Sequence, residues 1–366
     1  MKRAAAPLRL GGVALASVLP ALRAVEPFAR ACWVYDLDAF ETRARRFLAA
    51  FSALEPQVAY ALKANALPAL LERARTLKLL AEAGSIGELE IARASGYSPG
   101  AVVLNGNGRT PEEADWAARR GVALVNADHL GELELLERAA TGAGARLRVA
   151  LRVNPAIRTP GHRYVATGGR DAKFGIEPRQ ALEVWSARAR WPHLALDALH
   201  VHVGSQVVET APLEAALEVT LELAAESARR GAPLALLNLG GGFGVNYGGG
   251  AEFPIERWGA KLAKRVRGTA YRWMFEPGRW LVASAGVLLA EVLAVKLRAN
   301  RRFVVLAAGM NDLIRPALYG ASHRIVPIAP RAGRRTSAIV TGPVCESADV
   351  FGTAALPPLE PGDVLA

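Results

Sequence analysis

Eight short β-like runs recur between residues 58 and 275, separated by amphipathic helical stretches, and no other feature of the chain constrains its fold as tightly. The runs are Val58–Leu62, Leu79–Ala83, Ala101–Leu104, Ala123–Val125, Leu147–Val153, Leu196–Val203, Leu236–Leu239 and Tyr271–Phe275. Between them, Pro111-Glu112-Glu113 reads as a helix start, with proline and acidic residues in the first turn. The stretch His129–Ala140 reads as a second helix, with Asp128 as its N-cap. Eight strand-plus-helix units predict an α/β fold, a (β/α)8 TIM barrel, with chemistry at the carboxyl ends of the strands. An open doubly wound sheet is the alternative. After Gly286 the pattern changes to close-spaced runs, Val287–Leu297, Phe303–Ala307 and Ala338–Thr341, joined by turn-rich segments; these predict a separate β domain.

Length allows one large barrel or two domains, since 366 residues exceed the usual single domain, and 51% apolar residues can fill a sizeable core. The two cysteines, Cys32 and Cys345, are too far apart in sequence for a disulfide framework or a metal-ligand spacing, so no metal is expected and a reducing cytoplasm is the simplest location. A net charge of +11 raises the question of nucleic acid. However, all but seven of the 45 basic residues are arginines scattered among alanine and leucine, with no basic run or interleaved aromatics, so no nucleic-acid partner is expected. At the N-terminus, Met1-Lys2-Arg3 and the apolar stretch Leu10–Leu22 have the outline of a weak secretory signal, but Arg9 and Arg23 sit close to it, Gly11-Gly12 breaks it and Pro20 interrupts it near its end. A first strand and turn is the preferred reading. Nothing reaches the roughly 18–20 uninterrupted apolar residues of a membrane span.

Polar groups gather at the ends of the runs. The first ends in Tyr60-Ala61-Leu62-Lys63-Ala64-Asn65, an amine where a strand leaves the core. The sixth ends in His200-Val201-His202-Val203-Gly204-Ser205-Gln206, where period-two alternation places both histidines on one face. The seventh opens into Gly240-Gly241-Gly242, a loop without Cβ atoms whose N–H groups could approach a phosphate. The eighth ends in Glu276-Pro277-Gly278-Arg279, a carboxylate and a guanidinium on one turn. Singly, these read as a rim charge, core histidines, a glycine turn and a local ion pair. Together they supply an amine nucleophile, a ring, a phosphate cradle and a carboxylate, the parts that hold pyridoxal 5'-phosphate (PLP).

These segments, with Gly342-Pro343-Val344-Cys345-Glu346-Ser347-Ala348-Asp349, occur in the order found in the fold-type III PLP-dependent decarboxylases. The chain resembles that ornithine/diaminopimelate/arginine decarboxylase group from about Leu10 to Ala366, and within it the diaminopimelate decarboxylases most. Thr167-Gly168, Lys173-Phe174-Gly175 and Arg315-Pro316-Ala317-Leu318-Tyr319 extend the match. The resemblance implies an alanine-racemase-like barrel over 33–285. It also implies a β domain built from both chain ends, 1–32 and 286–366, and a homodimer with shared active sites. The cofactor would be PLP and the substrate a small amino acid, with decarboxylation of meso-2,6-diaminopimelate to L-lysine the leading activity.

By position, Lys63 would carry the cofactor as a Schiff base, His202 would stack on its ring, and Glu276 would keep the ring nitrogen protonated. Ser205, Gly240, Gly241, Gly242, Pro277, Gly278 and Arg279 would surround the phosphate. Cys345 would reprotonate the carbanion, while Arg279, Arg315, Tyr319 and Glu346 would grip the substrate. Two arginines suit a second carboxylate, which ornithine and lysine lack. The chain departs from the family at Glu82, where aspartate is common, and at Ala348, where glycine is usual. It also ends at Ala366, before the family's last strands and their Gly-Ala-Tyr segment. The alternatives are a related decarboxylase of ornithine, lysine or carboxynorspermidine, and a catalytically impaired PLP-binding homologue.

Overall fold

A computed structural model describes residues 8–157, 168–169, 172–248, 250–329 and 332–366. Met1-Lys2-Arg3 and Thr167, both singled out in the sequence, lie outside the described residues. Two compact units emerge: one comprises Phe40–Val245 with Ala251–Ala283, the other Met1–Ala39 with Asn246–Gly250 and Ser284–Ala366.

Near the N-terminus, β1 (Arg9–Leu10) and β2 (Val13–Ala14) form a hairpin around Gly11 and Gly12, both with positive φ, and α1 (Val18–Arg23) follows. The glycines that break the apolar stretch therefore make a turn. The strand β3 (Ala31–Tyr35) comes next and belongs to the β unit.

The larger unit is a closed barrel of eight parallel strands: β4 (Gln57–Ala61), β5 (Leu80–Ala83), β6 (Val102–Leu104), β7 (Leu124–Ala127), β8 (Leu147–Arg152), β9 (Leu194–His200), β10 (Leu236–Asn238) and β11 (Arg272–Phe275). Each strand is paired only with its neighbours in chain order, and β11 closes on β4 through Met274–Gln57 and Phe275–Val58. The interior is filled by one residue from every strand: Ala59, Leu80, Val103, Leu124, Ala150, Ala198, Leu236 and Met274. Small alanines on β4, β8 and β9 sit in the same layer as the larger leucines and Met274, which lets the layer interdigitate at interior density.

Local signals behave as their chemistry dictates, with two corrections. The Pro111 helix runs Pro111–Arg120 and starts with a complete capping box, Thr110 accepting from the Glu113 N–H and Glu113 accepting from the Thr110 N–H. By contrast, Asp128 caps nothing: the next helix is Gly131–Ala143 with Leu130 at its N-cap, and Asp128 instead receives the Arg152 guanidinium at 2.6 Å. A buried ion pair outcompetes a cap there. The sixth run also stops earlier than the sequence suggests, because β9 ends at His200 and leaves His202 on the connecting loop.

In the β unit, β12 (Gly286–Arg298), β13 (Arg301–Leu306), β14 (Thr336–Thr341), β15 (Val350–Leu356) and β16 (Val364–Leu365) form a sheet in the order β15-β14-β13-β12-β16, with β3 paired antiparallel to β12. Both chain ends thus contribute. Arg23 and Arg30 converge on the buried Glu291 of β12, Arg30 at 2.7 Å, tying the N-terminal segment to the long central strand.

Candidate active site

The polar residues of the barrel mouth follow from strand periodicity. Two positions beyond each interior apolar residue the side chain again faces the barrel axis, and those positions are Glu82, Asn105, Asn126, Arg152, His200, Asn238 and Glu276 on seven strands or strand ends. On β4 the corresponding residue is Ala61, and the polar group comes two residues later as Lys63, in a short 3-10 turn over Leu62–Ala64. Every strand therefore delivers one polar side chain to a layer resting on an apolar floor.

Lys63 Nζ donates to Glu82 Oε2 at 2.9 Å and Oε1 at 3.1 Å, with the lysine side chain 64% exposed and Glu82 1%. Burial of the amine end lowers its pKa, but the charge and hydrogen bonds of Glu82, with Glu276 and Glu88 behind it, outweigh this and the net direction is up.

Glu276 is buried in a ring of amides. Its Oε1 accepts from Asn238 Nδ2 at 2.7 Å and Asn126 Nδ2 at 2.8 Å, and its Oε2 from Asn105 Nδ2 at 3.0 Å. His200 Nε2 lies 3.3 Å from Oε2 as a charge contact off the hydrogen-bond axis, and neither ring nitrogen of His200 has a hydrogen-bond partner. Burial alone would push this carboxyl up. Instead His200, the Lys63 charge and the Asn238 amide hold it below the usual carboxylate range. The group is an ionised carboxylate in a place where only paired charges survive.

The residues expected about a phosphate converge as well. Arg279 donates to Ser205 Oγ through Nε at 3.3 Å and Nη2 at 3.1 Å. The Gly241 N–H donates to His202 Nδ1 at 3.3 Å, which fixes that imidazole face against the glycine loop. Burial, then the Arg152, Lys63 and His200 charges, hold the His202 pKa well below its ordinary value, so the ring is neutral. The glycines also serve a packing purpose that sequence reasoning did not identify. A Cβ on Gly241 would stand 2.2 Å from the Glu276 carbonyl oxygen, and one on Gly242, at φ +94°, would stand 2.0 Å from that of Gly204. The glycine loop is thus wedged between the His202–Ser205 and Glu276–Arg279 segments. Gly278 likewise lets its turn touch Ala61 and Ala64, on either side of Lys63.

The remaining residues singled out in the sequence lie in the β unit. Arg315 and Tyr319 bound a short helix, Arg315–Tyr319, and the Arg315 guanidinium lies 4.0 Å over the Tyr247 ring and 3.0 Å from His323 Nε2. Cys345 and Glu346 are exposed on a turn. Asp349 fixes that turn by accepting from the Met310 N–H at 2.7 Å and the Val344 N–H at 2.8 Å.

An amine at a strand end, a buried ionised carboxylate opposite it, a neutral imidazole and a guanidinium–hydroxyl pair at a glycine loop define a barrel built to hold a pyridine ring bearing an aldehyde and a phosphate. The fit can be tested on Glu276. An ionised carboxylate has about four lone-pair sites, and three of those on Glu276 are taken by the Asn126, Asn238 and Asn105 amides, leaving one on Oε2 for a further donor such as a protonated ring nitrogen. The buried layer also holds unmet capacity at Asn126 Oδ1 and the His200 ring.

Comparison with known proteins shows the family and its cofactor. Residues 37–283 match the family model for the pyridoxal-binding domain of pyridoxal-dependent decarboxylases. A diaminopimelate decarboxylase of Zymomonas mobilis is 38% identical over 325 residues, covering 87% of this chain and 77% of that protein. A crystal structure of Helicobacter pylori diaminopimelate decarboxylase complexed with L-lysine superposes with a TM-score of 0.88 at 32% identity, covering 94% of this chain and 87% of that one. The Vibrio vulnificus lysine/ornithine decarboxylase complexed with putrescine shares the fold, with a TM-score of 0.81 at 23% identity, covering 96% of this chain and 91% of that one. The chain belongs to the family of pyridoxal-dependent decarboxylases, whose cofactor is pyridoxal phosphate.

Sequence reasoning brought Lys63, His202, Ser205, the glycine loop, Glu276 and Arg279 to one place. It missed Asn105, Asn126, Arg152 and Asn238 as site residues, took His200 only as a neighbour of His202, and treated Glu82 only as a departure. The signal was present: each stands two positions after an apolar interior residue.

Proposed function

We propose that the chain is a carboxy-lyase that removes CO2 from meso-2,6-diaminopimelate to give L-lysine, the step that ends lysine biosynthesis. The observation that carries the reaction class is the pairing of Lys63 with Glu82 and of Glu276 with three amides in one layer of the barrel mouth. The substrate reading is supported by relatives named diaminopimelate decarboxylase at 31–38% identity.

When bound, the cofactor supplies an electron sink for the pair left behind as CO2 departs. Lys63 is the residue proposed to attach it covalently, with Glu82 orienting the amine. Glu276 holds a proton at the ring nitrogen, because an ionised, buried carboxylate stabilises the cationic ring. Neutral His202 would stack against the ring, and Arg279, Ser205 and the Gly240–Gly242 loop, with Pro277 and Gly278, would hold the phosphate. Arg279, Arg315 and Tyr319 are proposed to bind substrate carboxylates, and Glu346 the distal ammonium. Cys345 Sγ returns the proton to the α-carbon where the carboxylate was lost. Its exposure on the β unit suits delivery to a neighbouring subunit's site in a homodimer. Among the described residues no helix is long and apolar enough to cross a membrane, and a cytoplasmic location is proposed with the biosynthetic role.

Borohydride reduction of the purified holoenzyme tests the reading. A stable pyridoxyl adduct is expected on Lys63, and Lys63→Ala is expected to lose the adduct, the visible absorbance and turnover together. An adduct that persists in Lys63→Ala would place the attachment elsewhere and remove Lys63 from the mechanism.

A further inference from the structure

Asn105 lies just past the end of β6, and its amide is the one side chain among the described residues given hydrogen bonds to both carboxylates of the layer. Its Nδ2 donates to Glu82 Oε1 at 2.8 Å and to Glu276 Oε2 at 3.0 Å, while its Oδ1 accepts from Asn126 Nδ2 at 2.7 Å. An ionised carboxylate only accepts, so this amide can sit only one way round, and the Asn126 donor locks it there.

One NH2 bridges the two carboxylates, and negative charges held that near in a buried layer repel, which favours protonation of one of them unless donors compensate both. Here each receives one hydrogen of the same NH2. Lys63 also compensates Glu82, but its charge and donors change with what the amine is bonded to; the Asn105 donors do not. We propose that Asn105 is a positioning residue that keeps Glu82 and Glu276 ionised at the same time, so that the carboxylate beside Lys63 and the carboxylate facing the ring nitrogen do not trade a proton during turnover. The other charged or titratable groups around this pair are Lys63 past β4, Glu88 on the helix after β5, Arg152 on β8, and His200 and His202 at and beyond the end of β9. None of them donates to both carboxylates.

The inference rests on the PLP reading, and the test separates the two. Visible absorbance of the holoenzyme is titrated towards acid, and the kcat/KM profile is recorded over the same range, for wild type, Asn105→Leu and Asn105→Ser. Leucine removes both donors at similar volume, and serine keeps a single hydroxyl. In Asn105→Leu the acid-side midpoints of both curves are expected to rise by about one to two pH units, the equivalent of losing a charge-assisted hydrogen bond; in Asn105→Ser they should rise by less. A purely structural role would lower the melting temperature without moving these midpoints. Unchanged midpoints in the variants, with the visible band intact, would overturn the inference and leave the PLP reading standing. A wild type without the band would overturn both. If Asn105→Leu fails to fold, the serine variant decides: a shift supports the role and no shift overturns it.

Discussion

At the scale of single residues, the site is a list of side chains that strand alternation aims at one axis. Glu276 shows how far such a position is constrained. Replacing it with Gln keeps the size but presents an NH2 to a ring of Asn NH2 groups and removes the charge proposed to face the ring nitrogen. Glu276→Gln is therefore expected to retain PLP but lose most of its turnover, measured as kcat on meso-2,6-diaminopimelate; wild-type kcat would remove Glu276 from the chemistry. Arg315→Ala tests specificity in the same way. It should weaken meso-2,6-diaminopimelate far more than L-lysine, by about 1.5–3 kcal/mol in kcat/KM, because only the former has a second carboxylate to lose a charge-assisted bond; equal losses would argue against that contact. Residues with chemically unusual side chains, such as Lys63 and Glu276, were legible in the sequence. Asn105, Asn126 and Asn238 were passed over: Asn105, before Gly106, reads as a turn residue, and the role of all three as buried donors appears only when eight strands close on one another.

At the scale of elements, caps and glycines decide how the strands present their ends. The capping box at Thr110 also ties two helices together, since Glu113 Oε1 accepts from the Ile86 N–H at 3.0 Å as Oε2 accepts from Thr110. Thr110→Ala should cost about 1 kcal/mol, seen as a modest fall in melting temperature with kcat unchanged; an unaltered melt would show that the cap contributes nothing. Gly241→Ala is the sharper case. A methyl 2.2 Å from the Glu276 carbonyl oxygen cannot be accommodated without moving that turn. The variant should lose about 1–3 kcal/mol of stability and release PLP on dialysis, whereas Gly250→Ala, with nothing within 4 Å of the added atom, should do neither. Equal behaviour of the two would refute the wedge. The Pro111 helix start was legible because its cap, proline and acidic turn agree. Asp128 misled because a local cap and a long-range partner use the same oxygen, and only the fold reveals Arg152 beside it.

At the scale of the whole molecule, the alternation of runs and helices carried the barrel, since eight parallel strands each followed by a crossover have few other ways to bury their edges. The β unit was less legible. Its sheet draws β3 from one end of the chain and β12 to β16 from the other, and such long-range pairing leaves only short strand-like runs in the sequence. The basic composition also resolves into local chemistry, with arginines spread over pairs such as Arg265–Glu218, Arg45–Glu41 and Arg148–Asp197. The central claim is that this barrel decarboxylates an amino acid bearing two carboxylates, and CO2 release by the purified holoenzyme from meso-2,6-diaminopimelate, L-ornithine and L-lysine tests it most directly. CO2 and L-lysine should appear in equal amounts from meso-2,6-diaminopimelate, with far slower release from the other two; release from ornithine or lysine at a comparable rate, or none from meso-2,6-diaminopimelate, would contradict it.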